Sequence, residues 1–234
     1  VLAKISAWIS CRPALSSGVV VESLASRSQY SVARSMNPSR TSERAKSTSS
    51  PFAQAVPASD LPEIALVGRS NVGKSSLVNA LVGQKALARV SAAPGRTRQI
   101  NFFDLGSRLM LADLPGYGFA RASKGERAGL ARLTKSYLRG RAQLRRVCLL
   151  VDTRLGLKES DRATMKILDE AGLSYVLVLT KWDAAAEAIA RARRAGVAAE
   201  AVRHVAAFPR VFATSAHEGH GIPELRAHLA ALAR

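Results

Sequence analysis

Residues 68–75 read Gly-Arg-Ser-Asn-Val-Gly-Lys-Ser, the pattern G-x-x-x-x-G-K-S. They stand between a short apolar run at 63–67 and a stretch of helical spacing at 76–82. A strand, a glycine-bounded loop and a helix in that order make a phosphate cradle. The glycines let the backbone curl so that consecutive N–H groups face inward, and the helix N-terminus adds its partial positive charge. Gly68, Arg69, Ser70, Asn71, Val72, Gly73, Lys74 and Ser75 are therefore the candidate phosphate-binding residues. Lys74 is placed to reach β- and γ-phosphate oxygens, and the Ser75 hydroxyl to ligate Mg²⁺.

A second apolar run at 108–112 ends in Asp113-Leu114-Pro115-Gly116. An aspartate at a strand's C-terminal end can hold Mg²⁺ through water, and the Gly116 N–H can meet a γ-phosphate. Between the two motifs lies Pro94-Gly95-Arg96-Thr97-Arg98-Gln99, with a single threonine. Thr97 is a candidate second Mg²⁺ ligand because a nucleotide-sensing segment belongs in that interval, so Gly95, Arg96, Thr97, Arg98 and Gln99 join the candidate nucleotide site.

The base is read further on. An apolar run at 176–179 leads into Thr180-Lys181-Trp182-Asp183, and another at 211–213 into Thr214-Ser215-Ala216. The Asp183 carboxylate can accept from guanine N1–H and the 2-amino group. Adenine offers neither donor, and a buried charge left unpaired supports discrimination of roughly 10⁴-fold or more. The Lys181 stem can lie along the base, and a backbone N–H of 214–216 can donate to guanine O6. ATP use is disfavoured by Asp183.

Composition adds two facts. The chain has 234 residues and a net charge of +18, with 35 basic and 17 acidic side chains. Such an excess attracts a polyanion, nucleic acid or acidic membrane. No apolar stretch is long enough for a conventional transmembrane helix. Two distant cysteines, Cys11 and Cys148, make neither a disulfide scaffold nor a Cys-built metal site. His204, His217, His220 and His228 lack carboxylates at zinc-ligand spacing and read as surface or packing residues.

Position sorts the charge. Residues 1–50 hold seven basic and two acidic side chains with fourteen serines and no sustained period, so disorder is expected. Three readings stay open for this segment: a solvated tail, a translation start placed too far upstream of Met36, or an organellar transit peptide. The expected division is an extension over 1–58 and one nucleotide-binding domain over 59–234. Nine Lys or Arg and one acid, Glu126, fall between Arg121 and Arg146. Arg121, Lys124 and Arg127 recur every three residues, and Arg132, Lys135 and Arg139 continue at three to four, a ridge on one helix face. It follows the Asp113–Gly116 motif directly and is the candidate RNA-backbone contact. Leu130, Leu133 and Leu138 face inward, and Tyr137 is the one aromatic available as a stacking platform.

These motifs together resemble those of a small P-loop GTPase of the EngB/YihA/YsxC group, within the TrmE-Era-EngA-EngB-septin-like class. Besides the loop 68–77, the resemblance rests on Pro94–Thr97 with Asn101-Phe102-Phe103 and on Asp113-Leu114-Pro115-Gly116-Tyr117-Gly118. It extends to Tyr137-Leu138-Arg139-Gly140-Arg141 and to Thr153-Arg154-Leu155-Gly156-Leu157 with Asp161. It covers about 60–232. The resemblance implies GTP hydrolysis, a role in large ribosomal subunit assembly linked to cell division and septation, a monomer, and the bacterial cytoplasm, or an organelle if residues 1–50 are a transit peptide. Thr180 stands where the common guanine motif has asparagine, as is usual in the group. Tyr117 stands where regulatory GTPases carry the water-positioning glutamine, so slow intrinsic turnover is expected. Related GTPases with asparagine at the place of Asn71 hold K⁺ against the phosphates, and the same is expected here. Lys74, Thr97, Gly116 and Asn71 are the catalytic candidates. The competing reading is a GTP-dependent scaffold on RNA or a division protein, with incidental hydrolysis.

Strands are expected over 63–67, 99–105, 108–113, 146–152, 175–180 and 210–213. Helices are expected over 74–82, 123–139, 158–171, 184–205 and 222–232. The alternation specifies an α/β, three-layer P-loop NTPase G domain. Its sheet is six-stranded and mostly parallel, with helices on both faces. One edge strand is antiparallel, through a hairpin at Gly106-Ser107.

Overall fold

The computed structural model describes residues 59–83, 100–117 and 124–233. Strand β1 (Glu63–Gly68) is buried along its whole length. That is the condition of a central parallel strand covered on both faces. It lies between β3 (Met110–Asp113) and β4 (Leu144–Asp152), parallel to both. Strand β5 (Tyr175–Thr180) and the two-residue β6 (Phe212–Ala213) extend the sheet beyond β4. Strand β2 (Asn101–Asp104) closes the other edge antiparallel to β3, and the order is β2-β3-β1-β4-β5-β6. The six expected strands and the antiparallel edge are all present.

The β2–β3 hairpin turns where Gly106 and Ser107 adopt left-handed φ of 68° and 53°. The Asp104 carboxylate accepts from the Ser107 N–H at 2.6 Å. Arg108 belongs to this turn, so β3 starts two residues later than its apolar run suggests.

Alternation along the strands sends side chains into two cores. On one face Ile64, Leu66, Cys148, Leu150, Val176 and Val178 meet α1 (Lys74–Val82) and α5 (Ile222–Ala230). On the other, Ala65, Val67, Val147, Leu149, Leu177 and Leu179 meet α2 (Lys124–Gly140), α3 (Glu159–Glu170) and α4 (Glu187–Ala201). Helix α1 follows β1 onto one face and α2 follows β3 onto the other. The two neighbouring strand ends therefore open into a crevice, the usual ligand position in such sheets.

Helix α4 is shorter than the 184–205 expected. Residues 182–184 form a separate 3₁₀ turn and the helix starts at Glu187. Alanine propensity masked the break. The helix buries only Ala190, Val197 and Ala201, consistent with a weakly defined apolar face. Among the described residues no helix is long and apolar enough to cross a membrane.

One polar group lies inside the sheet. Glu63 opens β1 with no solvent exposure. Its carboxylate accepts from the Tyr137 hydroxyl at 2.8 Å, from Arg141 Nε at 2.8 Å, and from Arg141 Nη2 on its second oxygen. Burial and the Glu63 charge both push the Tyr137 phenol up. Tyr137 lies in the last turn of α2 and Arg141 directly follows the helix, so the helix end brings both to the same carboxylate. Tyr137 is thus a core residue, 6% exposed, and not the stacking platform expected of it.

Candidate functional site

The loop after β1 takes its shape from its own glycines and from two neighbouring strand ends. Asn71 and Gly73 adopt φ of 61° and 104°, turning the backbone into α1, whose first bond runs from the Leu77 N–H to Gly73 O at 2.9 Å. The segment after β3 closes along it. Leu114 N–H donates to Leu66 O, Tyr117 N–H to Gly68 O, and Ser70 N–H to Tyr117 O, at 3.1, 3.2 and 2.9 Å. Gly116 lies against this seam. A Cβ built there would come 3.1 Å from Ser70 N and 3.2 Å from Ser70 Cα, tighter than ordinary packing. The two loops expected to sense phosphate are therefore joined backbone to backbone.

Lys74 and Asp113 face each other across this seam, with Nζ to Oδ1 at 3.9 Å. That distance is an ion pair and not a hydrogen bond. Burial raises the Asp113 carboxyl, and Lys74 and the Asn101 side chain oppose the rise. The antiparallel register sets Asn101 directly opposite Asp113. Among the described residues, Asp113 Oδ1 and Ser70 Oγ are buried without a hydrogen-bond partner. A buried carboxylate oxygen beside a hydroxyl-bearing loop is a hard, oxygen-only donor set. It suits Mg²⁺, which keeps most of its waters and takes few protein ligands. No group of three or more His, Cys, Asp or Glu that could hold a metal occurs among the described residues. The unpartnered Asp113 oxygen fits a Mg²⁺ site, and Ser75 stands in the first turn of α1 beside Lys74. Thr97, with Gly95, Arg96, Arg98 and Gln99, lies outside the described residues.

The base side is a cleft of about 330 Å³ lined by Gly73, Ser76, Leu77, Thr180, Lys181, Asp183, Thr214, Ala216 and His217. Its floor is tied to the phosphate loop. Thr180 is buried, and its Oγ1 donates to Val72 O at 2.6 Å. Lys181 Nζ donates to Asn71 O at 2.6 Å and to Asp152 Oδ2 at 2.9 Å. Burial would raise the Asp152 carboxyl, but hydrogen bonds from Arg154 and Lys181 hold it down at about 2. Asp152 went unnoticed in the sequence, although its place at the C-terminal end of β4 is a signal that could have found it. Thr180, where guanine motifs commonly carry asparagine, holds the loop from beneath.

Asp183 sits exposed on the 3₁₀ turn at the cleft. It is therefore desolvated only beneath a bound base, a correction to the buried charge expected. Of the three N–H groups in 214–216, Thr214 donates to Leu179 O and Ser215 to His220 O. Of these three, the Ala216 N–H makes no hydrogen bond among the described residues, which leaves it as the candidate donor to guanine O6. Thr214 and Ser215 shape the loop: the Thr214 hydroxyl donates to Leu179 O, and the Ser215 hydroxyl accepts the Glu218 N–H. Trp182 stacks on His220 and does not line the cleft. Ser76, Leu77 and His217 line it without having been expected to, and His217 is not merely a surface residue.

Sequence comparison now decides the family. The pattern described as 50S ribosome-binding GTPase matches residues 63–181. The probable GTP-binding protein EngB of Rhodospirillum rubrum is 56% identical over 183 residues, covering 76% of this chain and 79% of the relative. That of Caulobacter vibrioides is 53% identical over 178 residues, covering 76% and 78%. The chain belongs to the EngB family.

Solved structures agree on the fold. A crystal structure of a probable GTP-binding protein EngB aligns with a TM-score of 0.59 at 22% identity, covering 74% of this chain and 98% of that one. Aquifex aeolicus Era bound to GDP and aluminium fluoride aligns with a TM-score of 0.59 at 19% identity, covering 74% and 56%. In this EngB chain the Tyr117 hydroxyl is held by α3. Its hydroxyl donates to Asp161 Oδ1 at 2.8 Å, and burial, then the Asp161 charge, push the phenol up. The other Asp161 oxygen accepts the Lys158 N–H that opens α3. No water-positioning carboxamide stands in its place, as the sequence leads one to expect. On α2, Arg132, Lys135 and Arg139 are exposed, Leu130 and Leu133 are half-buried, and Leu138 is buried. Arg121 lies outside the described residues, as do the side chains of Lys124 and Arg127.

Proposed function

We propose that this GTPase is a nucleotide-dependent switch in assembly of the large ribosomal subunit in the bacterial cytoplasm, coupled to cell division and septation. The observation that carries the reading is the backbone seam between Gly68–Ser70 and Leu114–Tyr117, which ends seven residues in sequence before α2 begins at Lys124. A change at the γ-phosphate would act on Gly116, which packs closely against the Ser70 backbone of the phosphate loop. The surface that follows therefore reports the nucleotide. The description of the matching family as 50S ribosome-binding supports the choice of partner.

Chemistry divides among this chain's residues as follows. The N–H groups of 71 and 73–75 and the Lys74 ammonium hold the β- and γ-phosphates, the Ser70 and Val72 N–H groups being bonded within the seam and the loop, and Asp183 and Ala216 hold the guanine edge. Ser75, Thr97 and, through water, Asp113 would hold Mg²⁺, which would supply charge neutralisation to the phosphates. The Asn71 carboxamide is exposed and makes no hydrogen bond among the described residues, leaving it free to face K⁺ at the phosphates. Arg121, Lys124, Arg127, Arg132, Lys135 and Arg139 contact RNA phosphate.

Co-sedimentation with large-subunit precursors tests the reading. The parent protein should bind with a non-hydrolysable GTP analogue and release with GDP, and Lys74→Ala should bind in neither state. Equal binding with both nucleotides would refute a switch.

A further inference from the structure

At the end of the sheet opposite the nucleotide cleft, cations and aromatic rings alternate. Arg146 lies near the start of β4, opposite Ile64 of β1. Its guanidinium sits 4.8 Å over the Phe208 ring, and Phe208 lies 4.7 Å from the His228 ring of α5. His228 is in turn 5.0 Å from Phe212, over which Arg210 places its guanidinium at 4.7 Å. Arg146 Nη1 is 3.4 Å from His228 Nε2, so a neutral imidazole accepts there. Three separate segments, β4, 208–212 and α5, thus bring two arginines and a histidine into one row.

The row has no counter-charge. None of the ion pairs among the described residues includes Arg146, Arg210 or His228. Arg146 Nε is buried with no acceptor. Burial lowers the His228 imidazole to about 4, and the charges of Arg146 on β4 and Arg210 before β6 add to the fall. The Phe208 and Phe212 rings also pack on His228. Stacking holds each guanidinium in place, so less freedom is lost when it meets a ligand. The missing component is an anion.

We propose that Arg146, His228 and Arg210 form a phosphate site for an RNA backbone, remote from the nucleotide cleft. The guanidinium fork matches phosphate oxygens. A membrane fits less well, because Phe212 is buried and Phe208 half-buried, leaving no ring to enter an acyl layer. The site stands apart from the α2 ridge, which packs on the other face of the sheet.

The test uses the full chain and a fluorescent oligouridylate, with affinity measured by anisotropy across a KCl series. Arg210 is exposed, so Arg210→Glu leaves the fold intact, and GTP affinity serves as the control. Arg210→Glu should weaken binding about tenfold and reduce the salt slope by about one, with Arg210→Lys recovering part of both. The RNA should also raise the NMR titration midpoint of His228 from about 4, since phosphate offsets the two cations. Unchanged affinity and slope would overturn the site, even where Arg132→Glu with Lys135→Glu still weakened RNA binding. Loss of binding to phosphatidylserine vesicles but not to RNA would overturn it in favour of a membrane. Inorganic phosphate moving His228 as effectively as RNA would reduce it to a free-anion site and overturn it too.

Discussion

Thr180→Val removes one hydrogen bond and almost nothing else. The residue is 4% exposed and lies between Val72 O, which accepts its hydroxyl at 2.6 Å, and Val151 O at 3.3 Å. Valine matches threonine in shape, so packing survives, while a buried carbonyl loses its donor. Such a loss costs roughly 1–3 kcal/mol. Val72 belongs to the phosphate loop, so if the bond holds the loop in its binding shape the loss appears in nucleotide affinity as well. In full it equals a fall of about five- to 150-fold. Thr153→Val is the matched control. Thr153 is fully buried and donates to Thr180 O at 2.7 Å, joining strand end to strand end without touching the loop. Both variants should shift the urea midpoint by similar amounts. Only Thr180→Val should weaken a fluorescent GDP analogue measured by titration. Equal affinity losses in the two variants, or none in Thr180→Val, would refute the idea that this threonine anchors the loop.

Three further outcomes are expected. Tyr117→Phe should leave steady-state GTP turnover within about twofold while lowering stability by about 1 kcal/mol in denaturant, because the phenol bonds Asp161 and not the reacting water. Asp152 is held down at about 2 from an ordinary 3.8, so its contribution to stability is complete above 3.8 and disappears as pH falls through 2. The parent's urea midpoint should drop across that window, and Asp152→Asn should flatten the drop. Turnover in KCl should exceed that in NaCl, and Asn71→Ala should abolish the difference; a parent with no K⁺ preference would end that assignment.

Local signals carried the fold and much of the site. Gly68, Gly73 and Lys74 are legible because one backbone turn needs all of them within eight residues. The strand ends at Asp113 and Thr180 are legible because apolar runs stop there. What escaped were partnerships across the chain. Thr180 and Val72 are 108 residues apart, and Lys181 reaches both Asn71 and Asp152. No spacing encodes such bonds. Tyr137 misled for a related reason: a tyrosine among basic residues looks exposed until Glu63, 74 residues earlier, is found beneath its hydroxyl. The alanine-rich stretch after Trp182 misled by propensity, which is blind to the 3₁₀ turn that places Asp183.

The clamp of Tyr137 and Arg141 on Glu63 fixes one end of α2 to the base of β1. The other end follows the segment that leaves the phosphate seam. A rod pinned at one end converts any push at the free end into a swing about the pin. With 17 residues at 1.5 Å each, α2 is about 25 Å long. Arg139, beside the pivot, would then hold nearly still while Arg132 travels about half as far as the free end. Such a swing would displace the cations of the ridge unequally, Arg132 more than Lys135 and Lys135 more than Arg139.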